Sequence, residues 1–212
     1  MATTRPPLTR DRILEAGIRL ADEGGIESVT MRKLGQALGV EAMSLYNHVA
    51  GKDEILDGLG DLVMREFELP PPNGDWESSL RRLAVSAHDA LIRHPWAASL
   101  LVSPARRIPT RMRYIDAVCG CLRTAGFSPE ATFHAYHAID SHILGFTLWE
   151  LGHAMPDVSK DAIEEFLRTL PRDEYPHLAE HVDQHLHGTN RDDQPEFEFG
   201  LDLILDGFKR LR

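Results

Sequence analysis

The sequence predicts an all-α fold, with a small three-helix unit at the N-terminus and a larger helical domain after it. Three observations carry this. Apolar residues recur at three- and four-residue steps along most of the chain, and no run alternates with the period of two that a half-buried strand shows. Ser, Thr or Asp stands before the apolar stripes and Gly or Pro after them, where helices start and stop. With 212 residues, 42% of them hydrophobic, the chain can bury a substantial core.

Residues 9–24 form the first helix, with Leu8, Thr9 and Ile13 as staple, cap and staple partner. Ile13, Leu14, Gly17, Leu20 and Ala21 are its inner face, and Gly24-Gly25 ends it. The stretch TMRKLGQALGVEAMSLYNHVAGK at 30–52 then reads as a helix, a tight Leu-Gly-Val turn, a short second helix and the start of a third. Thr30 is a cap, because its hydroxyl can accept from an unsatisfied N–H of the first turn. Val29 and Leu34 hold the two staple positions, and Leu34, Ala37 and Leu38 make one apolar stripe. Gly39 follows where a left-handed backbone is needed. From Glu41 the second helix turns Leu45 and Val49 inward and shows Ala42, Met43, Ser44, Asn47 and His48 on its other side.

A helix over about 52–67 carries Ile55, Leu56, Leu59, Leu62 and Val63 on one face. Pro70-Pro71-Pro72-Asn73-Gly74 interrupts the pattern and marks the domain boundary. Asp75 caps a helix to about 93. Pro95, Ser103-Pro104 and Pro109 bracket a short one at 96–102, and another runs from about 109 to Gly126. Ser128-Pro129, a cap followed by proline at the first helical position, starts a long helix to about 154. The 155–195 stretch is less regular, with helices expected at 160–169 and 174–187 and a polar loop GTNRDDQPE. In the final helix Phe197, Leu201, Ile204, Phe208 and Leu211 recur in a heptad-like seam, with Gly200 and Gly207 beside it. That periodicity suits an intrachain core face and a helix–helix interface equally.

The 30–52 pattern is a helix-turn-helix, a device that sets one short helix in the DNA major groove. Small residues at the start of the second helix permit close approach to base edges. Lys52 and the free N–H groups of the helix it opens attract a phosphate. Tyr46 and His48 can donate to phosphates, and Arg32 and Lys33 can clamp the flank. The net charge of −10 argues against DNA only until its distribution is considered: residues 28–52 hold Arg32, Lys33 and Lys52 against Glu41 alone. The acidic remainder restrains non-specific sticking. Cys119 and Cys121, two apart in a helix, point to different faces and read as buried small hydrophobes. No export signal or membrane-spanning run is visible, which points to a cytoplasmic protein without a membrane partner.

The run from Ile13 through Leu59, LYNHVAGKDEIL above all, resembles the DNA-binding domain of TetR-family transcriptional regulators. GFSPEATFHAYHAIDSHILGFTLWELGH at 126–153 and FEFGLDLILDGFKRL at 197–211 look like the regulatory core of the tetracycline repressor branch. The resemblance implies a helix-turn-helix domain over 1–51, a connecting helix over 52–67, and a ligand-binding and dimerisation domain over 68–212. It implies a homodimer that binds a palindromic double-stranded DNA operator and leaves it on binding a small molecule. The family's base-reading positions fall on Ala42, Met43, Ser44 and Asn47, its phosphate contacts on Thr30, Arg32, Tyr46, His48 and Lys52. It also favours the interface reading for the final helix, paired with 128–154 and their symmetry mates. The tetracycline repressor's magnesium-chelating positions fall near Glu68, Leu101, Pro104 and Trp149, so tetracycline–magnesium is not the expected ligand.

An effector pocket should be mostly apolar with a few polar groups. Candidates are Trp96, Leu100, Met112, Ile115, Phe133, Phe146 and Trp149, with His134, His137, Asp140, Ser141 and His142 as polar members. His134, His137 and Asp140, and separately His177, His181 and His185 with His187 nearby, have spacings that can hold zinc or nickel. No HExxH or cysteine-rich pattern accompanies them, so the second set reads as a solvated stripe and no metal or other cofactor is expected. A metal-dependent enzyme and a helical adaptor are the alternatives. The first lacks a Walker loop, a GxSxG or an HExxH; the second would tolerate loss of Tyr46 and Lys52.

Overall fold

The computed structural model describes residues 6–153, 165, 168–187 and 195–212. Its helices are α1 (Arg10–Gly24), α2 (Met31–Leu38), α3 (Ala42–Leu45), α4 (Lys52–Met64), α5 (Trp76–Arg93), α6 (Ala97–Leu101), α7 (Pro109–Thr124), α8 (Pro129–His153), α9 (Pro176–His187) and α10 (Glu196–Phe208), with a 3-10 turn at Ile26–Ser28. Among the described residues there is no strand. The helix expected at 160–169 and the loop after His187 fall almost wholly outside the described residues, as do the side chains of His185 and His187.

The local signals act where they stand. Thr9, Thr30 and Asp75 cap α1, α2 and α5, accepting from the N–H groups of Arg12, Lys33 and Ser78 at 3.3, 3.2 and 2.9 Å. Gly39 closes α2 in the left-handed region at φ 63°, a conformation that costs glycine nothing. Ser128 accepts from the Ala131 N–H at 3.1 Å at the start of α8.

In the N-terminal unit α1 packs on α2 and on α4. Ile13, Leu34, Leu45, Ile55 and Leu59 are fully buried there. Gly58 of α4 lies directly under Leu14 of α1, where a Cβ would stand 2.7 Å from the leucine. That close approach fuses α4 to the reader unit. In the larger domain α8 packs against α5, α7 and α10, and α4 reaches back to α6 and α7. Trp76 and Phe127 meet edge to face at 5.3 Å beneath it.

The docking of α10 decides the two readings of its seam. Phe197, Leu201 and Phe208 are 4%, 0% and 4% exposed within a single chain, packed with Leu205 into its own core. They leave no surface for a partner, so the expected interface role of these three is corrected. Ile204 is half-buried, and Leu211 is exposed. Phe197 sits between two imidazoles, stacked on His88 at 4.0 Å and on His142 at 4.8 Å. His142 Nε2 also lies 2.9 Å from the Phe197 carbonyl oxygen. The outward face of α10 carries Phe199 and Leu203, about 60% exposed each.

Candidate DNA-reading surface and its joint to the larger domain

The reader divides its side chains cleanly. Leu45 and Val49 are buried at 0% and 3%, while Met43 is 74% and Tyr46 48% exposed. Asn47 and His48 are exposed, Ala42 and Ser44 half-buried. Arg32 and Lys33 are exposed at the start of α2, where Thr30 is occupied in capping. The second helix is shorter than its sequence suggested. After Leu45 the bonds tighten to three-residue steps, with Tyr46 N–H to Met43 O at 3.3 Å and His48 N–H to Leu45 O at 2.9 Å.

Glu54 braces the next helix start. One carboxylate oxygen accepts from the Ala50 N–H at 2.7 Å and the other from Arg10 Nε at 3.1 Å. The Ala50 bond, then Arg10, hold its carboxyl below the usual range. Lys52 stands exposed beside it, 4.0 Å from the exposed Glu27 carboxylate, a contact worth little in water.

α4 carries the reader's position into the larger domain, and the side chains that fix it there were not visible in the sequence. Asp61, buried in α4, accepts from the Thr110 N–H at 2.9 Å and hydroxyl at 2.7 Å, and from Arg65 at 2.7 and 3.0 Å. Burial alone would raise this carboxyl; the hydrogen bonds outweigh it and hold the acid below its ordinary value. Arg106 reaches Asp53 at 2.9 Å and Asp57 at 3.4 Å. On the other flank Trp96 Nε1 donates to Asp22 of α1 at 2.7 Å, and His94 meets the same oxygen at 2.8 Å. Arg93 pairs with Glu66. A groove of about 350 Å³ opens between α1, α4 and the start of α7, with Asp61, Glu54 and Asp57 on its wall already engaged in these bonds.

The expected pocket residues do not gather. Trp96 serves the joint to α1, Met112 is 74% exposed, and Phe133 and Trp149 are 59% and 47% exposed. His137 and Ser141 also face outward; Ile115 and Phe146 are half-buried and Leu100 packs in the core. Among the described residues a cavity of the larger domain lies elsewhere, under the end of α4. Met64, Phe67, Leu91, Leu101, Ile143 and Leu144 wall it, with Arg111, Tyr114 and Asp140 as its polar members. Of the polar candidates read from the sequence, Asp140 alone lines it. The reason is geometric: polar and apolar residues are mixed around all sides of α8, so spacing cannot say which side turns inward. Among the described residues no group of three metal-ligating side chains comes together, and no helix is long and apolar enough to cross a membrane.

Comparison with known proteins agrees with this architecture. Residues 13–59 match the family described as bacterial regulatory proteins, tetR family, and residues 69–212 match the tetracyclin repressor-like C-terminal domain. An HTH-type transcriptional regulator of Saccharopolyspora erythraea is 33% identical over 181 residues, covering 83% of this chain and 75% of that one. The HTH-type transcriptional repressor DrrR1 of Streptomyces coeruleorubidus is 31% identical, covering 98% and 79%. Among solved structures, apo ActR of Streptomyces coelicolor superposes with a TM-score of 0.78 at 27% identity, over 97% of this chain and 96% of that one. ActR in complex with actinorhodin gives 0.77 at 26%, over 97% and 98%. With both family domains matched in order over a helix-turn-helix and a larger all-helical domain, the chain belongs to the TetR family and is a DNA-binding transcriptional regulator rather than an enzyme.

Proposed function

We propose that the chain is a cytoplasmic homodimeric repressor, divided at 1–51, 52–67 and 68–212, that reads an inverted-repeat operator and leaves it when a small molecule enters the larger domain. The observation that carries this is the division of the reader into buried anchors, Leu45 and Val49, and solvent-facing Met43, Tyr46, Asn47 and His48. Ala42, Met43, Ser44 and Asn47 meet base edges; Ala42 and Met43 do so through apolar contact, for example with thymine methyls. Thr30, Arg32, Lys33, Tyr46, His48 and Lys52 hold the phosphates.

Two readers one DNA turn apart need a dimer. Phe199 and Leu203 on α10 and Leu148 and Trp149 on α8 supply exposed apolar surface for a four-helix interface, joined by Ile204 and Leu211 of the original seam. ActR, which is similar over nearly its whole length, has been crystallised with actinorhodin, and that supports a small-molecule effector here. The effector acts only through unequal affinity for the two positions of the readers.

Selection of bound duplexes from a random DNA pool tests the reading. An enriched inverted repeat with half-sites about one turn apart is the expected result. Folded protein that enriches nothing at low salt would turn the assignment toward a helical adaptor.

A further inference from the structure

The cavity under α4 has only about 20 Å³ of free room, enough for no more than a single water. What fills its polar end is the chain itself. Tyr114, 4% exposed, donates its hydroxyl to Asp140 Oδ1 at 2.9 Å. We propose that Tyr114 is a tethered plug occupying the effector's place, and that the effector is an uncharged aromatic compound whose hydroxyl takes over the bond to Asp140. This rests on the reading of the larger domain as the effector-binding part.

Three observations support it. The remaining walls are apolar, from four helices and the segment after α4, so binding there is driven by burial of a ring-like body. The polar end holds both Arg111 and Asp140. An anionic ligand would face the carboxylate and a cationic one the guanidinium, whereas a neutral hydroxyl suits both. Burial, and then Asp140, push the Tyr114 hydroxyl well above its ordinary value, so it stays a donor at any working pH. The Asp140 acceptor is therefore satisfied by a phenol in the empty state, and a ligand phenol reproduces that bond without loss.

The plug is also connected to the reader. The Tyr114 ring meets Phe67 edge to face at 6.2 Å, and Phe67 lies three residues beyond the end of α4. A ligand that displaces Tyr114 removes the support of Phe67 and Met64 together, at the end of the helix that carries the reader.

Calorimetry of the full-length protein with 2-naphthol and naphthalene tests the plug without DNA, so it decides the matter whether or not an operator is ever selected. Tyr114→Phe keeps the ring and removes the competing hydroxyl. It should bind 2-naphthol and naphthalene each about tenfold more tightly than the wild type does, because neither then breaks the Tyr114–Asp140 bond on entry, and 2-naphthol should be preferred over naphthalene by about tenfold through its own bond to Asp140. Adding Asp140→Leu should abolish that preference. Unchanged or weaker 2-naphthol binding in Tyr114→Phe, no preference for 2-naphthol over naphthalene, or a preference that survives Asp140→Leu would overturn the proposal.

Discussion

Asp61→Ala is the sharpest test of how the reader is fixed to the larger domain. The substitution leaves the Thr110 N–H and hydroxyl buried with no acceptor, and it removes the inward partner of Arg65. Hydrogen bonds to a charged acceptor contribute roughly 1.5–3 kcal/mol each, so the two Thr110 bonds set a loss of about 3–5 kcal/mol. The Arg65 side chain is 64% exposed, and its share is at most about 1 kcal/mol. Asp61→Asn keeps an acceptor for Thr110 and should cost only about 1 kcal/mol. Urea unfolding followed by tryptophan fluorescence, at one fixed protein concentration, measures both; the alanine variant should also melt roughly 10 °C lower. Because the folded-state carboxyl lies below its ordinary 3.8, its stabilisation is complete above that value and is lost as pH falls through the folded value. The gap between wild type and alanine variant should therefore close in acid. An alanine variant within about 1 kcal/mol of wild type, or no worse than the asparagine variant, would refute the account of this joint.

Tyr46→Ala and Lys52→Ala should each weaken binding to the selected operator while leaving the oligomeric state alone, and Lys52→Ala should lower the salt slope by about one; wild-type affinity across a salt series would remove that residue from the contact set. Phe199→Glu with Leu203→Glu should yield folded monomers in sedimentation. Leu201→Ala should instead lower stability by about 2–5 kcal/mol, and the reverse pattern would restore the seam as the interface. Burial holds His88 below its ordinary 6.5 against the opposing pull of Glu150. The unfolded chain then binds the proton more readily, so stability is full above about 6.5 and declines as pH drops below it, a decline that should flatten in His88→Gln.

What the sequence made legible was local. Thr9, Thr30, Asp75 and Gly39 announce helix ends because a cap bonds within three or four residues of itself. The separation of Leu45 from Met43 follows from the same short-range periodicity. Where the reading failed, the deciding contact was distant. Asp61 finds Thr110 across 49 residues and Asp22 finds Trp96 across 74, and no spacing rule encodes either. The α10 seam failed for a different reason. Heptad spacing specifies that a face is buried, not by which neighbour, and His88 and His142 claim it first through Phe197.

The pinning of α4 at both ends makes it a lever. Its 13 residues span about 20 Å at 1.5 Å per residue. With Gly58 wedged under α1, the reader unit cannot lag behind the helix and must swing with it. A tilt of only about 5° about Asp61 then carries Lys52, about 14 Å away along the helix, through roughly 1 Å, more than the ~0.5 Å over which hydrogen-bond distances range. In the proposed symmetric dimer the two strokes oppose, so the mismatch against a rigid duplex doubles. There a shift of only about 0.4 Å at Met64, three residues beyond the pivot, would be enough to disturb the grip on DNA.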